Sequence, residues 1–514
     1  MNPLRLQSVL VASTYYLSLD PTQVQTMRPF PPLATLYVAA ALRRAGHPVT
    51  FFDAMLAESE ADFEAVLATE QPPLVVLFDD NFNFLSKMCL TRMREAALRM
   101  CAAAADLGAY VIVSGPDVSD HPHQYLEAGA DVAAIGEGDH TVVELAAWRS
   151  SGGSEEIPIG IGGIVTATAR RERGNERHPD VFAHPARDLV DIEAYRQAWV
   201  AQHGQFCLNI VSTRGCPFHC NWCAKPIWGQ RYAMRSPADV VEEIAELKAT
   251  IAPDQLWFAD DIFALRESWL EEFSETVRAR RATIPFTIQS RCDLMSAAAV
   301  RALGRAGCSE VWLGAESGSQ TILDAMDKGT KVDDIRQARQ RLGEAGIRAC
   351  FFVQFGYPGE ELADIWATVA LLRETLPDNI GVSVSYPLPG TRFHTMVADG
   401  LAAKTNWEDS GDLDMMFRGT FTTPFYRHLH AVVHDDLDLH RRQAGLAGAA
   451  GSAGSAGSAN PSCEPVDLAT QQARVADGWA TLEALARTSR HPRPTLLVRS
   501  EPIPNVPDLS RTHG

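Results

Sequence analysis

The chain has 514 residues, and its 46 lysines and arginines against 64 aspartates and glutamates give a formal net charge of −18. This length allows two or three domains with large cores, and the acidic balance excludes a nucleic acid as an expected partner. No apolar run reaches the roughly 18 residues that a membrane-spanning helix needs, so an embedded membrane protein is not expected either.

The N-terminus and the cysteines together favour a cytoplasmic protein. The first residues lack a basic and then apolar segment with a cleavage site, so we expect no secretory signal. Seven of the ten cysteines are scattered through apolar surroundings and are expected to be core thiols rather than disulfides. These seven are Cys89, Cys101, Cys207, Cys292, Cys308, Cys350 and Cys463.

Residues 1–150 alternate between apolar strands and amphipathic helices. One helix is expected to begin at Pro31-Pro32 and to end at Gly46, and another is expected over residues 87–107. Five strands are expected at residues 8–12, 49–53, 74–78, 110–114 and 132–135. This order predicts an α/β domain with a doubly wound parallel sheet that binds ligands at the carboxyl ends of its strands.

A second α/β domain is expected over residues 206–395, after a connector at 151–205 that begins rich in glycine and charge. Its six strands are expected near residues 206–212, 255–259, 286–290, 310–314, 348–354 and 380–384. Six strand–helix units predict a partial (β/α)6 barrel whose functional residues follow the carboxyl ends of its strands.

The remainder of the chain is expected to form a small C-terminal region. Residues 396–443 mix aromatic and acidic side chains and are interpreted as a cap on the barrel. Residues 444–462 repeat glycine, serine and alanine, which predicts a flexible linker. Residues 463–514 are expected to form one helix and then a disordered, proline-rich end.

Three cysteines lie close together at Cys216, Cys220 and Cys223, spaced C-x3-C-x2-C, with no fourth cysteine at ligand distance. Three thiolates can hold a cluster of four irons and leave one iron open to another ligand. The alternative is a zinc site that includes His219. Structural zinc takes four ligands, usually from two separated pairs, and His219 lies awkwardly inside the loop. The pattern therefore favours an iron–sulfur cluster.

The surroundings of these cysteines strengthen that interpretation. A buried strand is expected to end in a turn at Gly215, and a helix is expected to begin after Ser236, with Asp239 completing a capping box. With Trp222 just before the third cysteine, residues 200–400 resemble the radical S-adenosylmethionine (SAM) superfamily. The resemblance implies a [4Fe–4S] cluster held by the three cysteines, with SAM as a further cofactor.

The resemblance also implies SAM contacts at the ends of the second and third barrel strands. An acid after the second strand would bind the SAM amino group, but Ala-Asp-Asp replaces the usual Gly-Gly-Glu, so the choice between Asp260 and Asp261 stays open. The alternative for these acids is a helix cap. Arg291 could bind the SAM carboxylate through its guanidinium group, and a structural ion pair is the alternative.

Further contacts are implied at the ends of the later strands. Glu316 would contact the ribose hydroxyls, and a buried glutamate would need a partner. Ser317 beside it is a further expected SAM contact. Gly356 would let the backbone approach the adenosine, unless it only makes a tight turn. Pro389 and Gly390 belong to a Pro-x-Pro-Gly-Thr sequence that is similar to one branch of the superfamily.

That branch carries a cobalamin-binding domain before the barrel. The cobalamin contacts that the resemblance implies here are Ser114, Gly115, Gly136, Glu137 and Gly138. Many such domains have an Asp-x-His-x-x-Gly sequence whose histidine binds cobalt, but residues 12–16 read Ala-Ser-Thr-Tyr-Tyr. Either cobalamin binds without a histidine ligand, which we favour, or the fold remains and the cofactor is lost.

Residues 407–418 resemble the segment after the barrel in relatives of the anaerobic magnesium-protoporphyrin monomethyl ester cyclase. They are interpreted as a cap over the substrate, and a packed amphipathic face is the alternative.

The resemblance implies a radical SAM enzyme that cleaves SAM reductively and removes hydrogen from an unactivated carbon of a small molecule. With cobalamin as methyl carrier, the expected outcome is C-methylation, and oxidative cyclisation or rearrangement is the alternative. The electrons would come from a low-potential donor of the flavodoxin or ferredoxin type. A methylthiotransferase is set aside because residues 1–150 contain only two cysteines. A non-catalytic iron–sulfur or cofactor-binding protein remains the alternative from another class.

Overall fold

The computed structural model describes residues 8–153, 156–225, 227–263, 265–446 and 467–491. The linker predicted at 444–462 lies almost wholly outside these ranges, as does the proline-rich end, so both stay predictions.

The N-terminal domain is built on a seven-stranded sheet with the order β2-β1-β3-β4-β5-β6-β7. Its strands are β1 (Val9–Ala12), β2 (Val49–Phe52), β3 (Leu74–Phe78), β4 (Tyr110–Ser114), β5 (Val132–Ala134), β6 (Ile164–Val165) and β7 (Arg170–Arg171). Its helices are α1 (Pro21–Thr26), α2 (Leu33–Arg44), α3 (Glu60–Glu70), α4 (Phe84–Lys87), α5 (Thr91–Asp106), α6 (Pro116–Asp120), α7 (Pro122–Glu127) and α8 (Asp139–Ser150). The first five strands are parallel, as predicted, and β6 and β7 extend the sheet antiparallel.

Helices cover both faces of this sheet, because successive side chains of a strand point to opposite sides. Val9 and Val11 of β1 pack with α2 and α8, whereas Leu10 and Ala12 pack with the residues of α3 and α5. The doubly wound fold expected for this region is therefore confirmed.

Two boundaries in this domain differ from the sequence predictions. The helix predicted over 87–107 begins only at Thr91, as α5, because Cys89 adopts a left-handed backbone with a φ of +54° and separates it from α4. The sheet also continues to Arg171, so the predicted connector at 151–205 supplies two strands and a helix, α9 (Ile192–His203).

The second domain is a half-barrel of six parallel strands. In spatial order they are β15, β14, β13, β12, β11 and β8, and a separate hairpin pairs β9 with β10. The strands are β8 (Cys207–Ile210), β9 (Thr213–Arg214), β10 (Ala233–Met234), β11 (Gln255–Phe258), β12 (Phe286–Arg291), β13 (Cys308–Glu316), β14 (Arg348–Phe355) and β15 (Asn379–Val384). The helices are α10 (Pro237–Thr250), α11 (Glu267–Ala279), α12 (Ala297–Ala306), α13 (Gln320–Ala325), α14 (Val332–Glu344) and α15 (Leu362–Thr375). The predicted partial barrel is confirmed, and its parallel strands bring their carboxyl ends to one edge.

The C-terminal region adds α16 (Arg392–Val397), α17 (Thr423–Gln443) and α18 (Leu468–Thr488). Helix α17 packs on α15 and β15, and α18 packs on α17. The helix predicted in the tail thus forms as α18, and the ring of Trp479 lies 4.5 Å from that of Trp366 on α15. The described residues also form six short 3-10 turns: Leu17–Leu19, Ala54–Leu56, Pro179–Val181, Arg187–Leu189, Cys292–Leu294 and Ala398–Gly400. Within the described ranges, none of the helices has the length and apolar character needed to cross a membrane.

Candidate functional site

The cysteine loop, residues 215–225, leaves the carboxyl edge of the half-barrel directly after β9. Gly215 begins it with a positive φ of +82°, and a Cβ at this position would lie 2.4 Å from the carbonyl oxygen of Arg231. Only glycine fits this turn without displacing the backbone. Lys225 closes the loop by donating from Nζ to the carbonyl oxygens of Cys216, at 2.9 Å, and Phe218.

Cys216, Cys220 and Cys223 are half-buried free thiols in this loop. Burial raises the pKa of Cys216, and it raises the pKa of Cys223 to about 12. Thiolates are the species that bind iron, so cluster assembly has to displace protons from these groups. In the described part of the chain, no three His, Cys, Asp or Glu side chains converge on a position for a single metal ion. His219 is exposed, which gives the zinc alternative no support.

The two acids after β11 have different surroundings. Asp260 is buried and accepts hydrogen bonds from the backbone N–H groups of Ser212, at 2.8 Å, and Thr213, at 3.0 Å, and from the Ser212 hydroxyl. Asp261 is more exposed and pairs with Lys87 of the N-terminal domain at 2.5 Å. Asp260 therefore joins β11 to the segment that leads into the cysteine loop, and Asp261 is the acid with more freedom to meet a ligand.

Replacing Asp260 with asparagine should change how stability depends on pH. Burial raises the pKa of Asp260 from its ordinary 3.8 to about 7. Stability linked to its proton is then present below pH 4 and lost as the pH rises through 7. Between pH 5.5 and 8, the free energy of unfolding of the wild type should fall by about 2 kcal/mol relative to that of Asp260→Asn. Urea denaturation across this range measures the difference, with Asp261→Asn as the matched control. Equal pH slopes for wild type and Asp260→Asn would contradict this assignment.

Arg291 fits both interpretations that the sequence left open. Its guanidinium group makes two hydrogen bonds to the carboxylate of Asp293, at 2.9 and 3.0 Å. It also lies 3.8 Å from the centre of the Phe218 ring, and its Nη1 lies 3.9 Å from the sulfur of Cys220. The side chain is thus held by an ion pair and placed against the cysteine loop.

Glu316 has a buried partner, as expected for a buried glutamate. The sequence did not identify which residue this partner is. Its Oε1 lies 2.7 Å from Nζ of Lys328, and both side chains are 6% exposed. Burial alone would lower the pKa of Lys328, but the nearby Glu316 carboxylate and Cys220 thiol raise it. A Cβ on Gly314 would lie 2.6 Å from the Lys328 ammonium, so glycine leaves room for this pair.

The other residues expected to contact SAM are Ser317, Gly356, Pro389 and Gly390. Ser317 makes a local turn, because its hydroxyl accepts from the N–H of Ser319 at 3.1 Å. Gly356 has a φ of +79° and donates its N–H to Glu360 at 2.6 Å, at the carboxyl end of β14. Pro389 and Gly390 are exposed and directly precede Thr391, the N-cap residue of α16.

The carboxyl edge of the N-terminal sheet has features that fit a bound cofactor. The buried hydroxyl of Ser114 and the buried Oδ1 of Asn81 have no hydrogen-bond partner within the described ranges. Gly115 and Gly138 both have positive φ, and a Cβ on Gly138 would lie 2.4 Å from the Ser114 oxygen. Gly136 also has a positive φ, of +74°. Gly138 therefore brings the backbone close to the unpaired hydroxyl of Ser114, which fits a bound polar ligand at this edge.

Glu137 was expected to contact cobalamin. In the structure its carboxylate joins the two domains. It lies 2.7 Å from Nη1 of Arg214, accepts the N–H of Glu176 at 2.7 Å, and is buried with Asp139, which also binds Arg214. Arg214 directly precedes the cysteine loop, and its guanidinium group lies 3.9 Å from the centre of the Phe182 ring. The proposed cobalamin edge and the cysteine loop therefore share one buried ion-pair network.

A small, partly open cavity lies where the two domains meet. Its lining includes Lys87 and Asp261, the ring of Trp228, and Gly215 and Lys225 of the cysteine loop. Lys87 of the N-terminal domain and Asp261 after β11 thus face the same space beside the cysteine loop.

The segment 407–418, expected to be a cap, bridges the two domains. The carbonyl oxygen of Trp407 accepts from the backbone N–H and the hydroxyl of Thr91, at 2.9 and 3.1 Å. The ring of Trp407 lies 3.8 Å from that of Tyr386 beyond β15, and the sulfur of Met415 lies near Gly356. Both a cap and a packed face are consistent with these contacts.

Sequence reasoning did not identify four residues of this site: Lys87, Arg214, Asn221 and Lys328. Only Arg214 and Asn221 have a local signal, since they lie beside and inside the cysteine motif. Lys87 and Lys328 are distant from the cysteine motif in sequence, and the tertiary structure brings them to the site.

Comparison with known proteins supports the two-domain assignment. A family model described as the radical SAM superfamily matches residues 210–372, and one described as the B12 binding domain matches residues 27–146. A relative described as an uncharacterized methyltransferase, from Pyrococcus horikoshii, is 24% identical over 76% of this chain and 83% of its own. Hopanoid C-3 methylase from Methylococcus capsulatus is 25% identical, over 71% and 68%. Anaerobic magnesium-protoporphyrin IX monomethyl ester cyclase from Synechocystis is 26% identical, over 62% and 63%.

Solved structures show the same fold. The radical SAM methyltransferase TsrM from Kitasatospora setae, with cobalamin and a [4Fe–4S] cluster bound, matches with a TM-score of 0.62 and 21% identity. The match covers 76% of this chain and 78% of that one. The cobalamin-dependent radical SAM enzyme OxsB matches with a TM-score of 0.61 and 17% identity, over 76% and 55%. These matches confirm the expected fold, and the two family models confirm the expected cofactors: a [4Fe–4S] cluster, SAM and cobalamin.

Proposed function

We propose that this chain, a radical SAM enzyme with a B12-binding domain, transfers a methyl group to an unactivated carbon of a small molecule. The junction of the two domains carries the proposal. The edge that contains Ser114 and Gly138 is joined to the cysteine loop by Arg214, and residues of both domains line a small cavity beside that loop. A methyl carrier and a hydrogen-abstracting group can reach one substrate only if their sites face each other across such a space.

Residues of the chain would form three sites, one each for the cluster, SAM and cobalamin. Cys216, Cys220 and Cys223 would hold the cluster. Asp261 would bind the amino group of SAM, and the Lys328–Glu316 pair, with Arg291, would meet its carboxylate and ribose. When bound, the cluster and SAM supply a radical that removes hydrogen, and cobalamin supplies the methyl group.

Oxidative cyclisation or rearrangement is the second candidate reaction. The similarity to a cyclase from Synechocystis supports it, as does the resemblance of residues 407–418 to the corresponding segment of such enzymes. Both reactions begin with the same hydrogen abstraction and differ in whether a methyl group is added. Both also need a low-potential electron donor.

The first test is reductive cleavage of SAM. After anaerobic reconstitution with iron and sulfide and reduction by dithionite, the wild type should form 5′-deoxyadenosine, measured by mass spectrometry. Cys220→Ala should form only background amounts, because two thiolates cannot hold the cluster with one open iron. Equal amounts from both proteins, or none from the wild type, would refute the proposed function.

The second test separates methylation from cyclisation. Protein incubated with hydroxocobalamin should keep a visible corrin absorption after desalting, and loss of the absorption would refute the methyl-carrier role. Metabolites of a producing strain and of its deletion mutant are then compared by mass. A difference of one methyl group supports methylation, whereas a difference of hydrogens alone supports cyclisation.

A further inference from the structure

Asn221 lies inside the cysteine loop, between Cys220 and Trp222, and each of its polar atoms makes a hydrogen bond. Its side-chain Nδ2 donates to the carbonyl oxygen of Ala325 at 2.7 Å and to Oδ2 of Asp327 at 3.2 Å. Its Oδ1 lies 3.0 Å from the hydroxyl of Tyr357. The residue is 6% exposed, so water does not replace these partners readily.

The backbone of Asn221 is held as firmly as its side chain. Its N–H donates to the carbonyl oxygen of Met326 at 3.1 Å, and its carbonyl oxygen accepts the N–H of Phe393 at 3.0 Å. The five contacts reach three separate parts of the barrel rim. These are the turn after α13, the segment after β14 and the first turn of α16.

The contact with Phe393 gives the Pro-x-Pro-Gly-Thr sequence a structural explanation. Thr391 caps α16 by accepting the N–H of His394 at 3.0 Å. The first turn of a helix has free N–H groups, and the one on Phe393 is aimed at the cysteine loop. The exposed Pro389 and Gly390 thus lead into the helix start that holds Asn221.

We propose that Asn221 is the positioning residue of the cluster, fixing Cys220 and Cys223 relative to the carboxyl ends of the barrel strands. The inference rests on the proposed function, since it requires a cluster at the three cysteines. An asparagine suits the position because its side chain donates at one end and accepts at the other. The donating end faces two oxygens and the accepting end faces a hydroxyl.

The experiment compares Asn221→Ala with Asn221→Asp in the reconstituted full-length protein. Alanine removes the side-chain bonds, and cluster retention should fall about 10-fold, as is typical for groups that orient metal ligands. Aspartate has nearly the same size but places a carboxylate oxygen 2.7 Å from the Ala325 carbonyl and 3.2 Å from Asp327. Its retention should therefore be lower still. Iron and labile sulfide per chain after desalting, and the electron paramagnetic resonance signal of the reduced protein, are the measurements.

A charge-swapped variant distinguishes hydrogen bonding from simple space filling. In Asn221→Asp combined with Asp327→Asn, the new amide can donate to the new carboxylate, so part of the lost iron should return. Tyr357→Phe, which removes one hydroxyl and keeps the ring, should fall between wild type and Asn221→Ala. If Asn221→Asp kept more iron than Asn221→Ala, or if the charge swap restored none, the proposal would be overturned.

Asn209→Ala is the matched control. Asn209 is a buried asparagine of β8 whose side chain donates to the carbonyl oxygen of Pro31 at 2.8 Å, away from the cysteine loop. The Asn209→Ala variant should lose stability without losing iron. A loss of iron equal to that of Asn221→Ala would show that Asn221 has only a general structural role. The outcomes also separate the two proposals. A wild type that binds no cluster refutes the proposed function, whereas a cluster unaffected by Asn221 variants refutes only this inference.

Discussion

Replacing Arg214 with methionine is expected to destabilise the folded protein by about 3–5 kcal/mol, because it leaves buried carboxylates without a cation. Arg214 is 4% exposed, and its partners Glu137 and Asp139 are 8% and 4% exposed. Burial raises the pKa of Asp139 despite the opposing effect of Arg214, so removing the arginine takes away what favours its charge. The free energy of unfolding, from urea denaturation at neutral pH, measures the effect.

Arg43→Met is the control for this prediction. Arg43 pairs with Asp188 at 2.7 Å, but the two side chains are 38% and 68% exposed. An exposed pair contributes at most about 1 kcal/mol, so this variant should resemble the wild type. The triple variant Arg214→Met, Glu137→Gln, Asp139→Asn should recover part of the lost stability, because no unpaired charge remains buried. An Arg214→Met protein no less stable than Arg43→Met would contradict the prediction.

The strands were the most predictable part of the fold. Leu74–Phe78 and Tyr110–Ser114 have the predicted bounds, because continuous apolar runs suit strands that are covered on both faces. The break at Cys89 was not predictable. The apolar pattern continues across it, and the backbone turns there where the side chain of Asn406, more than three hundred residues away, binds the Cys89 carbonyl oxygen.

The N-cap of α10 was also only partly predictable from the sequence. Ser236 caps α10 as predicted, accepting the N–H of Asp239 at 3.2 Å. The reciprocal bond of the predicted capping box is absent, because the N–H of Ser236 donates to Asp180 at 2.8 Å. Asp239 instead binds Arg235 at 2.6 Å. The local pattern identified the helix start, whereas distant residues determined its polar partners.

The site was predictable to the extent that its residues are neighbours in sequence. The three cysteines form a local motif, and strand ends locate Asp261, Arg291 and Glu316 in a parallel barrel. Lys328 follows no strand, and it reaches Glu316 because a short helix returns the chain to the rim. Such partners depend on tertiary structure.

Replacing Lys328 with methionine should have an effect as large as that of Arg214→Met. Glu316 would keep a buried carboxylate without its ammonium partner, which costs about 3–5 kcal/mol. The backbone of Glu316 is also left-handed, with a φ of +61°, where the strand pairing shifts register. The contact at 2.7 Å therefore stabilises a conformation that a non-glycine residue adopts at a cost. Urea denaturation of the reconstituted protein measures the loss.

The double variant Lys328→Met, Glu316→Gln separates stability from ligand binding. Without a buried charge of either sign, it should recover much of the stability of the wild type. It should nevertheless bind SAM at least about 10-fold more weakly, since hydrogen bonds to charged groups contribute roughly 1.5–3 kcal/mol. Equilibrium dialysis with labelled SAM measures the affinity, and Arg336→Met, which removes an exposed ion pair with Glu374, is the control. A stable double variant with wild-type affinity would show that the pair supports the fold of the rim and does not contact SAM, which would leave Arg291 as the cation for the SAM carboxylate.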